Sequence, residues 1–524
     1  MITDSKSATA PNADVREDTL PQGFSPAGTA VRLFITCWLI YSLHFATNTV
    51  REIYPALSLA DHMSFDVSEY SGLHSDIFEI PGRGAFINNN PGASILGAIP
   101  YGLARPVVDR VVKRVQQTRE ASPKPPPEYK TIYPLAQEFH RKSRERGYDI
   151  KFGLAAGVMQ VFCMAPLSAL SVVVMFFVLK NLIRSHRTAL VLALLYAFAT
   201  PVFYRTAQLN QNLLVSHFAF FSFVMLWSPW ETPSSPHWSR YLIAGLLSGW
   251  TVVLDYSGVV VVFWLSVYMF VRWISLPRHA RPYSLVLCYV LGVALSGAVL
   301  MGYQWSCFGN PLFPAQHYMP AANFTDQGYQ GMDWPQLDLL WKTAFGLRYG
   351  LFTSAPLLIL ALYVPGWLCK SIRMVGSRET WCILLFCLSF FIFCSANQYG
   401  RMQFNCGVRH IVPVTPFLFL IAAGMLTRMP TLLGIAFGVV TTYWSWCLAM
   451  YRDVEQGSGV FESLTHITTG GLRLPWLTTL ENMGHLQSES YVVPLFIFCA
   501  VAIWALWHVG NRGFQDRSDF ANSE

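Results

Sequence analysis

Twelve mainly apolar stretches, most of them about long enough to cross a bilayer as a helix, run through this chain from end to end. They fall at 30–47, 152–179, 188–204, 211–228, 241–255, 257–273, 284–305, 351–370, 380–396, 411–427, 431–450 and 491–509. Of the 524 residues 53% are hydrophobic and only 13% charged, so most of the surface must be buried in lipid rather than around an aqueous core. A lipid-spanning backbone has to satisfy its own hydrogen bonds, which leaves helices as the natural element. The expected fold is an all-α polytopic membrane protein with about 12 transmembrane helices (11–13, depending on the short stretches).

Charge sets the expected orientation. With the amino terminus inside, the connections Lys180–Arg187 and Arg272–Arg281 each carry three Lys or Arg and no acid, and Lys370–Glu379 carries three and one acid. That agrees with the positive-inside rule. The formal charge of +7 therefore reflects membrane orientation, not nucleic-acid binding. Residues 105–151 hold 12 basic and 6 acidic residues yet fall outside, which a long loop tolerates. The alternative makes Pro91–Arg105 a span. That piece is short and contains Pro100 and Gly102, so it reads better as an interfacial helix on the outer leaflet. The expected division is a cytoplasmic tail at 1–29, a transmembrane domain at 30–509 with a large first exoplasmic loop at 48–151, and a cytoplasmic tail at 510–524. No apolar segment precedes residue 30, so the first span is expected to be an uncleaved anchor. Pro123 to Pro127 mark a stiff bend in the first loop. The eleven cysteines lack metal-ligand spacing and mostly lie inside spans, although Cys307 and Cys406 fall in outer loops and could pair.

Complexity concentrates on the outer side. The first loop runs through Arg51, Glu52, Asp61, Asp66, Glu69 and Asp76 to Gly82-Arg83-Gly84 and Asn88-Asn89-Asn90-Pro91-Gly92-Ala93-Ser94. A carboxylate held beside a membrane surface can take a proton from an incoming hydroxyl, or be a solvated loop charge. Asn90 to Ser94 could cap the following helix, with Pro91 near its first turn. Arg348, between Gly346 and Gly350, and Arg409, followed by His410, each stand at the mouth of a span. A guanidinium there binds a phosphate oxygen bidentately or snorkels to headgroups. His217 would line a cavity or hydrogen-bond between helices. Asp255 would assist the site or mark a hairpin turn. Asn323-Phe324-Thr325 is a glycosylation sequon, uninformative alone.

These segments together resemble the GT-C-type polytopic glycosyltransferases, in particular bacterial relatives of the dolichyl-phosphate-mannose–protein mannosyltransferases. The matching pieces are Arg51, Ser64-Phe65-Asp66-Val67, Asp76, Asn89-Asn90-Pro91-Gly92-Ala93-Ser94-Ile95-Leu96, Phe345 to Leu351 and Gly407-Val408-Arg409-His410. The resemblance spans most of the chain, through short and degenerate motifs. An Asp-Glu pair often found after the first span is replaced near Asn48-Thr49, and Gly-Pro-Arg has become Gly-Val-Arg. The resemblance implies an enzyme of the bacterial inner membrane with its site facing the exterior. Such an enzyme moves a sugar from a polyprenyl-phosphate donor to a glycan, lipid or protein acceptor, with inversion and without nucleic acid. By similarity the general base is Asp76, with Asp66 and Asp61 as rivals. Arg409 and Arg348 would bind the donor phosphate, and Arg51, Asn89, Asn90, His217, Asp255 and His410 would contact substrate. Whether a cofactor is needed stays open: a divalent cation could sit among Asp61, Asp66 and Asp76, although their spacing is no recognised ligand set. The other readings are a multi-span secondary transporter, which would place ionisable groups at the midplane with repeat symmetry, and a lipid-linked glycan ligase or polymerase.

Overall fold

The computed structural model describes residues 25–121, 128–230, 237–277, 281–321, 324–402, 407–452, 459–484 and 489–521. Most of the expected tail before residue 25, the bend at Pro123 to Pro127, Asn323 and Cys406 lie outside the described residues. The described residues are 72% helical with almost no strand. In order, the α-helices are α1 (Pro26–Leu43), α2 (Ile53–His62), α3 (Gly92–Ala121), α4 (Pro134–Glu145), α5 (Asp149–Met159), α6 (Ala165–Leu182), α7 (His186–Phe198), α8 (Pro201–Arg205), α9 (Gln211–Trp227), α10 (Trp238–Leu254), α11 (Gly258–Ile274) and α12 (Tyr283–Phe308). Then follow α13 (Leu337–Phe345), α14 (Leu351–Ser354), α15 (Pro365–Leu368), α16 (Ser377–Ala396), α17 (Thr415–Leu426), α18 (Thr431–Met450), α19 (Gly459–Gly470), α20 (Pro475–Asn482) and α21 (Glu489–Ala521). A two-stranded hairpin, β1 (Ile77–Ile80) against β2 (Gly84–Ile87), sits in the first long loop, where only helices were expected.

Among the described residues six helical segments are long and apolar enough to cross a membrane: Pro26–Leu43, Asp149–Leu182, Tyr283–Phe308, Ser377–Ala396, Thr431–Met450 and Ser490–His508. Four shorter apolar helices accompany them, at His186–Phe198, Gln211–Trp227, Gly258–Ile274 and Val412–Leu426. The expected dozen is thus not reached by length and composition. One expectation is corrected outright. Residues 351–370 do not form a span but break into α14, a 3-10 turn at Pro356–Leu362, and α15. Pro356 and Pro365 supply no N–H and disfavour helix in the residue before each of them, which composition alone does not register. The expected span at 188–204 likewise ends at Phe198, because Pro201 starts the separate turn of α8 under a Thr200 cap.

Local chemistry explains several boundaries. Ser25 caps α1 by accepting from Gly28 N, and Asn210 caps α9 by accepting from Leu213 N at 3.1 Å. Helices α5 and α6 join through a π-helical turn at Gln160–Met164, just before Pro166 removes a backbone donor. Gln160 uses that widened turn to donate to the carbonyls of Tyr41 and Thr206. Helices α10 and α12 approach through glycines: a Cβ on Gly245 would lie 2.1 Å from the Tyr289 carbonyl oxygen. Helix α3 is longer than the interfacial helix expected at Pro91–Arg105, carries Pro100 and Pro106 inside it, and exposes Ile99, Leu103 and Val107 at four-residue spacing.

The helices give the bundle two chemically different ends. His186 on α7 reaches Thr29 at the start of α1, and Arg272 near the end of α11 donates to the Trp227 carbonyl at the end of α9. Tyr268 reaches Glu379 at the start of α16. The basic connections after α6, after α11 and before α16 therefore share one end. The end of α1, the α10–α11 turn and the start of α9 share the other, where the first loop folds back on the bundle.

Candidate functional site

Four segments far apart in sequence meet at that second end: Arg51-Glu52 after α1, the turn His74 to Asp76 before β1, Asp255 after α10, and Arg409-His410 before α17. The Arg51 guanidinium lies 3.2 Å from an Asp76 oxygen and 3.5 Å from Glu52, and also donates to Asn88 at 3.2 Å. The Arg51 and Asp76 side chains keep 20% and 29% of their surface, so both are enclosed and yet reachable from solvent.

Their charges act on one another. Burial pushes Asp76 up, but the guanidinium of Arg51, with His74 and Arg409, outweighs it and holds the carboxyl below its ordinary range. Burial pushes Arg51 down, and Glu52, Asp76 and Asp255 together reverse that. For Arg409 the balance differs: burial and the nearby Arg51 cation lower it despite Glu52, Asp76 and Asp255. Burial, then Arg409, Arg51 and Arg205, depress His410 strongly, so its imidazole is neutral. Among the described residues the half-buried Arg409 guanidinium makes no hydrogen bond and no ion pair.

The loop that carries Arg409 is held by its backbone. Arg205, at the end of α8 and 2% exposed, donates to the carbonyls of Gly407 and Val408. Gly407 N donates to the Arg348 carbonyl at 3.0 Å. Gly407 has φ +81°, and a Cβ there would lie 2.9 Å from the Tyr204 ring, so this position is closed to larger residues.

The expected site residues divide into two sets. Asp76, Arg51, Arg409, His410 and Asp255 come together. Asp255 also serves as the turn residue expected of it, accepting from Ser257 N at 2.9 Å while taking Gln211 Nε2 at 2.7 Å. Asp66 is occupied elsewhere: its carboxylate accepts from Ser68 and from Ala85 N and fastens the β1–β2 hairpin. The Asp61 side chain is 4% exposed and paired with Arg105 at 3.0 Å and Lys151 at 2.7 Å, a helix-to-helix tie. Arg348 comes near through its backbone, while its charge is felt by Tyr349. Asn90 donates to the Val252 carbonyl at 2.7 Å and Asn89 accepts from Tyr303, so both fasten the loop to α10 and α12. His217 is buried and bonded to Ser168 at 2.9 Å, a contact between helices. Among the described residues no cluster of His, Cys, Asp or Glu is arranged to hold a metal ion.

Sequence reasoning passed over Glu52, His74, Asn88 and Arg205 as site residues. Arg205 alone carried a usable signal, a lone cation just past an apolar run. The others gain meaning only through contacts made across the fold. Comparisons with protein-family models, with curated proteins and with solved structures find no match for this chain.

Proposed function

We propose that this chain is a membrane glycosyltransferase. It would move one sugar from a polyprenyl-phosphate donor to an acceptor hydroxyl on the exoplasmic face of a bacterial inner membrane. The observation that carries this reading is Arg409, a half-buried guanidinium with no anion of its own, set within the same charged cluster as a carboxylate, Asp76. An unpaired, partly desolvated guanidinium favours an anion, and phosphate offers two oxygens to its fork. The donor's lipid tail holds that phosphate at headgroup depth, and the cluster lies at one end of the helical bundle. The short basic connections after α6, after α11 and before α16 lie at the opposite end, which under the positive-inside rule favours the exoplasmic side for the cluster, the long 105–151 stretch being exempt from that rule.

In the reaction the acceptor oxygen attacks the anomeric carbon as the bond from that carbon to the phosphate oxygen breaks. The hydroxyl proton passes to Asp76. Polyprenyl phosphate leaves with the bonding electrons, and Arg409 stabilises its added charge. One displacement inverts the anomeric centre. Arg51 bridges the two halves of the site. An arriving phosphate competes with Asp76 for its guanidinium, which frees the carboxylate to accept the proton. Preorganised donors of this kind contribute several kcal/mol in a site with little water, about 3 kcal/mol for a single donor.

The test is product analysis with a radiolabelled polyprenyl-phosphate sugar and purified protein in lipid nanodiscs. Label should move to an acceptor in the native protein, and Asp76→Asn should stop transfer with donor binding retained. Native turnover in that variant would remove Asp76 from the role. Solute flux or polymer joining without sugar transfer would replace the whole reading.

A further inference from the structure

Beside the charged cluster lies a second, uncharged polar patch at the start of α9. The run Gln208 to Asn212 is polar throughout apart from Leu209, and it is buried: Gln208 is 6% exposed, Gln211 3% and Asn212 3%. Buried polar groups in a folded chain are normally hydrogen-bonded. Here Gln208 Oε1, Gln211 Oε1 and Asn212 Oδ1 have no partner among the described residues. Asn210 differs, since its side-chain oxygen caps the helix on Leu213 N.

The orientation of Gln211 is fixed by chemistry. Its amide nitrogen lies 2.7 Å from the Asp255 carboxylate, which as an anion can only accept, so the nitrogen donates and the oxygen faces the other way. That leaves a buried acceptor in need of a donor. The donor's phosphodiester has no proton to give, and Arg51 and Arg409 already provide for it. A sugar hydroxyl both donates and accepts, which matches neighbouring side-chain amides. Asp255 links the patch to the cluster, because its charge is felt by both Arg51 and Arg409.

We infer that Gln211 and Asn212 form the subsite that reads the hydroxyls of the transferred sugar, with Asp255 holding the Gln211 amide in register. This rests on the glycosyl-transfer reading and adds a place where the sugar is told apart from its relatives. A site built to bond a hydroxyl discriminates strongly against ligands lacking it, since its own polar atoms are then left unpaired. The subsite would therefore recognise a neutral polyol ring, while the arginines recognise the phosphate.

Binding to nanodisc-embedded full-length protein tests this. The probes are bare polyprenyl phosphate and the same lipid carrying mannose, glucose, galactose or arabinose. The native protein should bind at least one sugar-bearing probe about tenfold more tightly than the bare lipid, the worth of one to two neutral hydrogen bonds. Gln211→Met and Asn212→Leu, each close to the original volume, should remove most of that preference, bringing the sugar-bearing and bare lipids to within about twofold of each other in the same variant. Either variant suffices if the other does not fold, judged by size-exclusion profile and melting temperature. Retention of the preference in a folded variant overturns the subsite. Equal native binding of all probes overturns the subsite and leaves the phosphate reading standing. Native protein that binds none of the probes overturns both.

Discussion

Leaving a guanidinium half-buried without a hydrogen bond or a close ion pair costs folding free energy, so on the proposed function Arg409 is held ready for an anionic ligand. An incoming phosphate would supply two charge-assisted hydrogen bonds. Removing such a group costs about 1.5–3 kcal/mol, so Arg409→Ala should weaken polyprenyl-phosphate binding roughly ten- to hundredfold in a direct titration. Asp76→Asn keeps size and removes the proton acceptor. Transfer should fall by about 10²–10⁴ in single-turnover assays, the usual worth of a positioned general base. The histidines give a separate readout. His74 and His410 are both depressed in the fold, so the unfolded chain binds their protons first as pH falls. Their contribution is complete above the ordinary histidine value of about 6.5 and is lost on acidification below it. Melting temperature should decline as pH drops below that value, and His410→Gln should flatten the decline. An identical pH profile for the variant would show that His410 does not titrate as its surroundings require.

Among the elements, hydropathy made most of the helices legible, because helices apolar enough to cross a membrane leave long apolar runs in the sequence. It misread 351–370, where the run is equally apolar but Pro356 and Pro365 interrupt hydrogen bonding. The β1–β2 hairpin was not foreseen because its strands are only four residues each and its register is fixed from outside by Asp66. That hairpin is also what separates the acids of the first loop. Asp61, Asp66 and Asp76 are equivalent in composition, and only tertiary contacts show that two have structural partners while Asp76 faces Arg51. Backbone demands give two further tests. Gly407→Ala would place a Cβ against Tyr204 at positive φ, costing about 1–2 kcal/mol and displacing the Arg409 loop. Donor KM should rise with it. Gly245→Ala would force α10 away from α12, and a loss of about 1–3 kcal/mol should appear as a lower melting temperature in detergent.

For the molecule as a whole, the account requires two faces. Cysteines placed singly at Asp76, Asp255 and Arg409 should react with an impermeant maleimide from one side of sealed vesicles, and cysteines at Arg184, Arg281 and Arg373 from the other. The more demanding requirement is that Asp76 and Arg409, 333 positions apart in sequence, share one pocket and one ligand. A double-mutant cycle with Asp76→Asn, Arg409→Gln and the pair, read as affinity for polyprenyl phosphate in nanodiscs, measures that sharing. Residues within one charge network couple by about 0.5–3 kcal/mol, and distant ones add to within about 0.3–0.5 kcal/mol. The account predicts coupling of 1 kcal/mol or more. Simple additivity, or no binding at all by the native chain, would contradict it.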